Sequence, residues 1–275
     1  MLKKILFLVM LLSMQTLFAD LSFEQELDNV SFNEEAKEAS ISASRQGKKS
    51  FKFTGTYIET GRSFLEVEYK NGKRDGAAVF YYKNGNTMAK GNYKDDKKDR
   101  VWEFYTEDGK LERKVTYKNG LYDGMTTEFF KSGKINRTSN YVQGIKNGKE
   151  KEYYVSGRVQ NEGNYINNQL EGKYIIYYPN GRIYMKSNFI NNKHNGEIVY
   201  YYENGKVMLK GNTKDGSSIG EFEFYDENGK LEYKGEYDSI KDKFMPKLEK
   251  YRNKTVRSNS CRYFYKYKNR KGYIK

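Results

Sequence analysis

Residues 180–205 read NGRIYMKSNFINNKHNGEIVYYYENG, and the fold follows from how that stretch recurs. It opens at Asn180-Gly181, closes at Asn204-Gly205, and carries a second turn signal at Asn191-Asn192. Asn-Gly suits a tight hairpin because both residues enter the positive-φ region at small cost. The 24-residue step from Gly181 to Gly205 extends in both directions, through Gly61, Gly85, Gly109, Gly133 and Gly157 and on to Gly229. With 25 glycines in 275 residues, eight in register are not a composition effect. Four residues before each lies an aromatic: Tyr57, Tyr81, Tyr105, Phe129, Tyr153, Tyr177, Tyr201 and Tyr225. This is an internal repeat.

The second turn falls eleven residues after each glycine, at Gly72, Asp96, Gly120, Gly144, Asn168, Asn192 and Gly216. These are the three residue types that enter the left-handed region most readily. Four residues further come Gly76, Gly124, Gly148, Gly172, Gly196 and Gly220, with Arg100 the exception. Between the turns, the residue two past the repeat glycine is mostly apolar (Leu111, Ile135, Val159, Ile183, Val207, Leu231). The sixth is small or β-branched, and the eighth is aromatic in seven of eight repeats, with Thr213 the exception. Even offsets share one face of a strand, so small groups between rings let successive hairpins stack. A lone hairpin is marginal in water, so each unit needs its neighbours. The expected fold is all-β: an elongated array of stacked antiparallel hairpins in an open single-layer or gently coiled sheet. Two strands per repeat at about 4.8 Å imply about 80 Å for eight repeats.

The spacing Tyr117-x-x-Gly120-x-x-x-Gly124 and turns such as Tyr81-Tyr82-Lys83-Asn84-Gly85 resemble MORN repeats (membrane occupation and recognition nexus). They are most similar to the bacterial variant carried by YwqK-type antitoxin proteins. The resemblance spans Phe51 to Ile240 and implies a hairpin array that acts as a scaffold for lipid or protein. MORN arrays also accompany kinase domains in some phosphatidylinositol-phosphate kinases, but this chain has no kinase motif, so such a label would travel with the repeats alone.

The ends differ in kind. Lys3 and Lys4, the apolar run Ile5–Leu12 and Ala19 read as a signal peptide over residues 1–19, which places the mature chain in the periplasm, at the cell surface or outside the cell. Cys261 is the only cysteine, so no internal disulfide forms. Residues 20–50 hold seven acidic and four basic residues outside the repeat register, and Phe23, Leu27 and Val30 suit one face of a short helix. A cap or linker is expected there. Of the formal +14, Lys241–Lys275 carries 13 basic and two acidic residues, as a tail or cap with one last aromatic strand. Its charges interleave with rings at Arg262, Tyr263, Tyr265, Lys266, Tyr267, Lys268, Arg270 and Lys271. That pattern suits an anionic lipid or envelope surface. Nucleic acid is a poor partner for an exported chain.

No catalytic, cofactor or metal constellation is expected. His194 is the single histidine and reads as an exposed turn residue. Glu103, Glu128, Glu152 and Glu223 read as charges facing Lys across a ladder rather than as an acid/base pair. The expected function is an exported scaffold for protein or anionic surface. Two alternatives are a glycan-binding module, using one free ring of Tyr81-Tyr82, Tyr153-Tyr154, Tyr177-Tyr178 and Tyr201-Tyr202, and a toxin-binding immunity protein.

Overall fold

The computed structural model describes residues 51–57 and 63–255; the expected signal segment, residues 20–50, Gly61 and the Arg262–Lys271 cluster lie outside the described residues. The first strands are β1 (Phe51–Tyr57), β2 (Ser63–Lys70), β3 (Lys73–Tyr81), β4 (Thr87–Lys94), β5 (Lys97–Tyr105) and β6 (Leu111–Lys118). Next come β7 (Leu121–Phe129), β8 (Ile135–Val142), β9 (Ile145–Lys146), β10 (Gly148–Tyr153), β11 (Val159–Ile166) and β12 (Gln169–Tyr177). The last are β13 (Ile183–Ile190), β14 (Lys193–Tyr201), β15 (Val207–Lys214), β16 (Ser217–Tyr225) and β17 (Leu231–Glu236), followed by helix α1 (Tyr237–Thr255). Each strand pairs antiparallel with its chain neighbours, and β9 and β10 both lie against β8. The result is one open meander built from the expected hairpins.

The two turns exchange the roles that the sequence suggests. At the repeat glycines, the Gly85 N–H donates to Tyr82 O (2.9 Å) while the Tyr82 N–H donates to Asn86 O (2.8 Å). Only the glycine takes positive φ, from 77° at Gly109 to 93° at Gly157, so this is a three-residue loop and not a two-residue Asn-Gly turn. The tight two-residue turn is the second one. There both central residues are left-handed, as at Asn191 (51°) and Asn192 (63°) or Asp95 (47°) and Asp96 (67°). The fourth residue past it sits in a bulge: Tyr69 pairs with Arg74 and Val67 with Ala78, leaving three residues opposite Glu68. Gly76 takes φ 137° in that bulge, and Arg100 is held at 60° in the corresponding place without glycine's freedom.

The inner face is a stack of complementary sizes. A Cβ on Gly91 would lie 2.3 Å from the Trp102 ring, and one on Gly211 the same distance from Phe222. The rings therefore lie down on bare backbone. Trp102 is fully buried, meets Phe80, Tyr93, Phe104 and Tyr117, and donates its Nε1–H to Asn92 O (2.9 Å). The position two past the glycine is peripheral by comparison: Ile135 and Leu231 are exposed, because that side chain stands at the loop mouth. The position four past it, as Leu65, Ala89, Met185 and Leu209, is the one that enters the core.

Both edges are stitched from repeat to repeat. The second rings of the Tyr-Tyr pairs, at Tyr82, Tyr154, Tyr178 and Tyr202, donate to the carbonyls of Tyr105, Tyr177, Tyr201 and Tyr225 at 2.6–2.7 Å. At the other edge, Gly144 N–H donates to Tyr122 O (2.7 Å) and Asn168 N–H to Lys146 O (2.9 Å).

After β17 the described residues continue as a helix, and the aromatic stretch beyond it lies outside the described residues. Helix α1 takes residues 237–255 and packs Ile240, Phe244 and Tyr251 into the last core cluster, with Phe244 stacked on Phe224 at 5.6 Å. An array end exposes rings that no next hairpin covers, and the helix covers them. Two of its lysines pair with acids: Lys241 meets Asp238 (2.7 Å), and Lys247 meets Glu232 (2.5 Å). The first fifteen residues of the predicted basic tail thus belong to a capping helix.

Candidate interaction surface

His194 is not an exposed turn residue. It is the second residue of β14 on the inner face, half-buried, with Nδ1 2.6 Å from Ser187 Oγ and its ring 4.1 Å from Phe189. It belongs to a column beside the second turns in which other members lie over the ring of the following repeat, whereas His194, which has Thr213 at that place, packs on Phe189 of the preceding strand. Arg74 lies over Tyr93 (4.2 Å), Lys98 over Tyr117 (5.5 Å), and Lys146 over Tyr165 (4.6 Å). Tyr122 meets Tyr141 edge-on at 5.3 Å. Burial holds the His194 imidazole down to about 4, so it is a neutral packing ring near neutral pH.

The four carboxylates grouped by sequence separate into two kinds. Glu103 and Glu223 lie on the outer face between pairs of lysines. Lys114 (2.6 Å) and Lys90 (3.1 Å) flank Glu103, and Lys210 (2.8 Å) and Lys234 (3.3 Å) flank Glu223. Lys114 with Tyr105, and Lys210 with Tyr225, hold these two carboxyls down to about 2. They are the expected cross-ladder charges. Glu128 and Glu152 instead face inward, where they meet Arg137 from neighbouring strands.

That inward cluster interrupts the core. An apolar cluster runs from Leu65 to Tyr117, and beyond it lie a small one of Tyr165, Leu170 and Phe189 and a larger one from Ile176 to Tyr251. Between the first and the other two the inner positions turn polar: Thr126, Glu128, Arg137, Ser139, Glu150, Glu152 and Asn161. Arg137 Nε donates to Glu128 (3.1 Å), and its guanidinium reaches Glu152 at 3.9 Å. Ser139 donates to Glu150 (2.6 Å), which Lys146 also contacts, and Asn161 donates to Glu152 (2.7 Å). Burial alone would raise the Glu150 carboxyl, but Lys146 and Ser139 hold it below the ordinary range. Burial prevails at Glu152, which is pushed up. Among the described residues no group of His, Cys, Asp and Glu is placed to hold a metal ion.

The outer face of the same repeats is apolar where its neighbours are basic. Val101, Leu121, Met125, Val142, Ile145, Ile166 and Ile190 are 41–55% exposed. The residues flanking each second turn are Cα partners on the outer face, and along the array they read Lys70/Lys73, Lys94/Lys97, Lys118/Leu121, Val142/Ile145, Ile166/Gln169, Ile190/Lys193 and Lys214/Ser217. The hydrogen bonds between successive second turns keep these pairs side by side. An apolar stripe therefore crosses the middle hairpins with exposed lysines at both ends. Sequence reasoning missed it because it looked for function in the basic tail, whereas the signal lies in one offset compared across repeats.

The MORN repeat variant model matches this chain five times, over residues 74–95, 101–119, 170–191, 195–215 and 219–239. The chain is a MORN-repeat protein of the variant type. In this MORN array, residues 120–169 between the second and third matches hold most of the polar inner cluster and of the apolar outer stripe. No curated protein sequence matches the chain. Solved structures that share local similarity with it include the following two. A GtfA/B complex bound to UDP and GlcNAc is 11% identical over 42% of this chain and 22% of that one, with a TM-score of 0.20. The Photorhabdus luminescens Tc holotoxin pore is 10% identical over 70% of this chain and 14% of that one, with a TM-score of 0.16. This chain thus spans less than a quarter of either, and the likeness carries no argument about function.

Both rings of the Tyr-Tyr pairs that would serve a glycan module are half-buried or engaged. Tyr177 donates to Glu162 (2.6 Å), and Lys186 lies over Tyr201 at 5.6 Å. The second rings are the inter-repeat stitches already described.

Proposed function

We propose that this protein is an exported, non-catalytic scaffold that attaches to an anionic lipid surface through the outer stripe of its central repeats. The observation that carries the reading is the stripe itself: seven exposed apolar side chains on consecutive hairpins, bounded by Lys94 and Lys97 on one side and Lys193 and Lys214 on the other. Apolar tips enter the headgroup boundary while lysines meet phosphate, each worth about 1 kcal/mol near such a surface before screening. Contiguous exposed apolar surface rimmed by polar groups is otherwise a solubility cost. The stitched edges hold the contacts in register, so weak contacts add along the array.

Co-sedimentation with phosphatidylglycerol vesicles tests the reading. Binding is expected to fall as salt rises and to be near background on phosphatidylcholine. Replacing Val142 and Ile145 with Asp should lower binding by about tenfold or more, since two buried apolar contacts are lost. Undiminished binding by that variant would remove the stripe from the function.

A further inference from the structure

The stripe meets solvent in the described part of the molecule, yet its charges show what kind of chain fits it: apolar in the middle and acidic where the lysines lie. A segment of this chain has that composition. Residues 20–38, outside the described residues, contain seven acidic residues and one lysine around Leu21, Phe23, Leu27, Val30 and Phe32. A second copy of the array offers no such match, because stripe against stripe sets lysine-rich ends near one another.

We propose that residues 20–38 dock on the outer stripe of the same molecule and cover it until an anionic surface displaces them. This rests on the reading of the stripe as a binding surface. Reach permits it. The connecting residues 39–50 span up to about 40 Å when extended. Six strand spacings from β1, which begins at Phe51, to β7, which begins at Leu121, amount to about 29 Å. The acidic side chains Glu24, Glu26 and Asp28 then face Lys97 and Lys118, which are exposed, beside Lys94, which Asp75 already holds at 2.6 Å. Leu27, Val30 and Phe32 cover Leu121, Met125 and Val142. Residues 39–50 carry none of the seven acids and are rich in Ser and Ala, which suits a connector. The segment competes with lipid in both respects, since it offers carboxylates where the membrane offers phosphates and apolar side chains where it offers acyl chains.

The test uses the full chain with Cys261→Ser and two cysteine pairs. Leu27→Cys with Val142→Cys places thiols on the two proposed partners. Leu27→Cys with Lys230→Cys is the control, because Lys230 lies at the opposite, loop-side edge. Under mild oxidation the first pair should close within single chains at least about tenfold faster than the control. Adding Glu24→Lys and Glu26→Lys should slow that closure and raise vesicle binding several-fold. Equal closure by both pairs, or disulfides formed mainly between chains, would overturn the proposal. Cross-linking reads the docking without lipid, so fast closure with no vesicle binding would refute the membrane reading alone. Vesicle binding with equal closure would refute the docking alone.

Discussion

At Gly91 and Gly211 the chain has glycine for a different reason than at Gly181. Gly181 takes φ 89° in an open loop, with nothing within 4 Å of an added Cβ. Its replacement by Ala costs backbone strain only, about 1 kcal/mol. Gly211 has the Phe222 ring 2.3 Å from an added Cβ, so Ala there displaces a fully buried ring. Gly211→Ala should cost more, about 2–3 kcal/mol by chemical denaturation. Equal losses at the two sites would refute the size-complementary core. His194 carries a second residue-scale consequence. Its pKa in the fold is depressed to about 4 from the ordinary 6.5, so the unfolded chain takes up the proton first as pH falls. The stability it contributes is complete above about 6.5, declines by up to about 1.4 kcal/mol per pH unit below that, and stops declining near 4. His194→Tyr, matching Tyr122 at the same register position, should flatten that segment of the stability curve. An unchanged slope would show that the imidazole is solvated.

At the scale of elements, the hairpins were legible because turn chemistry is local. Gly85 to Gly229, and second turns such as Asn191-Asn192, show backbone demand directly in residue type. Which turn is the two-residue one was not legible, since Asn84-Gly85 and Asn191-Asn192 both permit positive φ, and hydrogen bonding across Tyr82 decides between them. Nor was α1. Its charges dominate the composition, and the apolar face of Ile240, Phe244 and Tyr251 is recognisable only once β16 and β17 present rings to it. Removing the Phe244 side chain should therefore act locally. Phe244→Ala is expected to cost about 3–4 kcal/mol in the last hairpin and to accelerate amide exchange in β16 and β17. Exchange in β3–β6 should stay unaltered. Acceleration throughout the array would mean that the ends are coupled through the polar middle.

Across the whole molecule, polarity reverses in one place. Over most of the array rings face inward and charges outward, but around β7–β11 the inner positions hold Glu128, Arg137, Glu150 and Glu152 while the outer ones hold Leu121, Met125, Val142 and Ile145. Satisfying buried charges is a stability cost relative to an apolar core, and exposing apolar tips is another. The proposed surface attachment accounts for the second, and the first separates the Leu65–Tyr117 cluster from those beyond it. The sequence showed these residues but not their faces, because the bulges shift the alternation within each repeat. Hydrogen exchange with and without phosphatidylglycerol vesicles tests the surface most directly. The account predicts slowed exchange in residues 118–121, 142–146 and 166–169, with the loop-side edge at 106–110 and 178–182 unchanged. Slowing confined to the loop-side edge, in a sample that binds the vesicles, would contradict it.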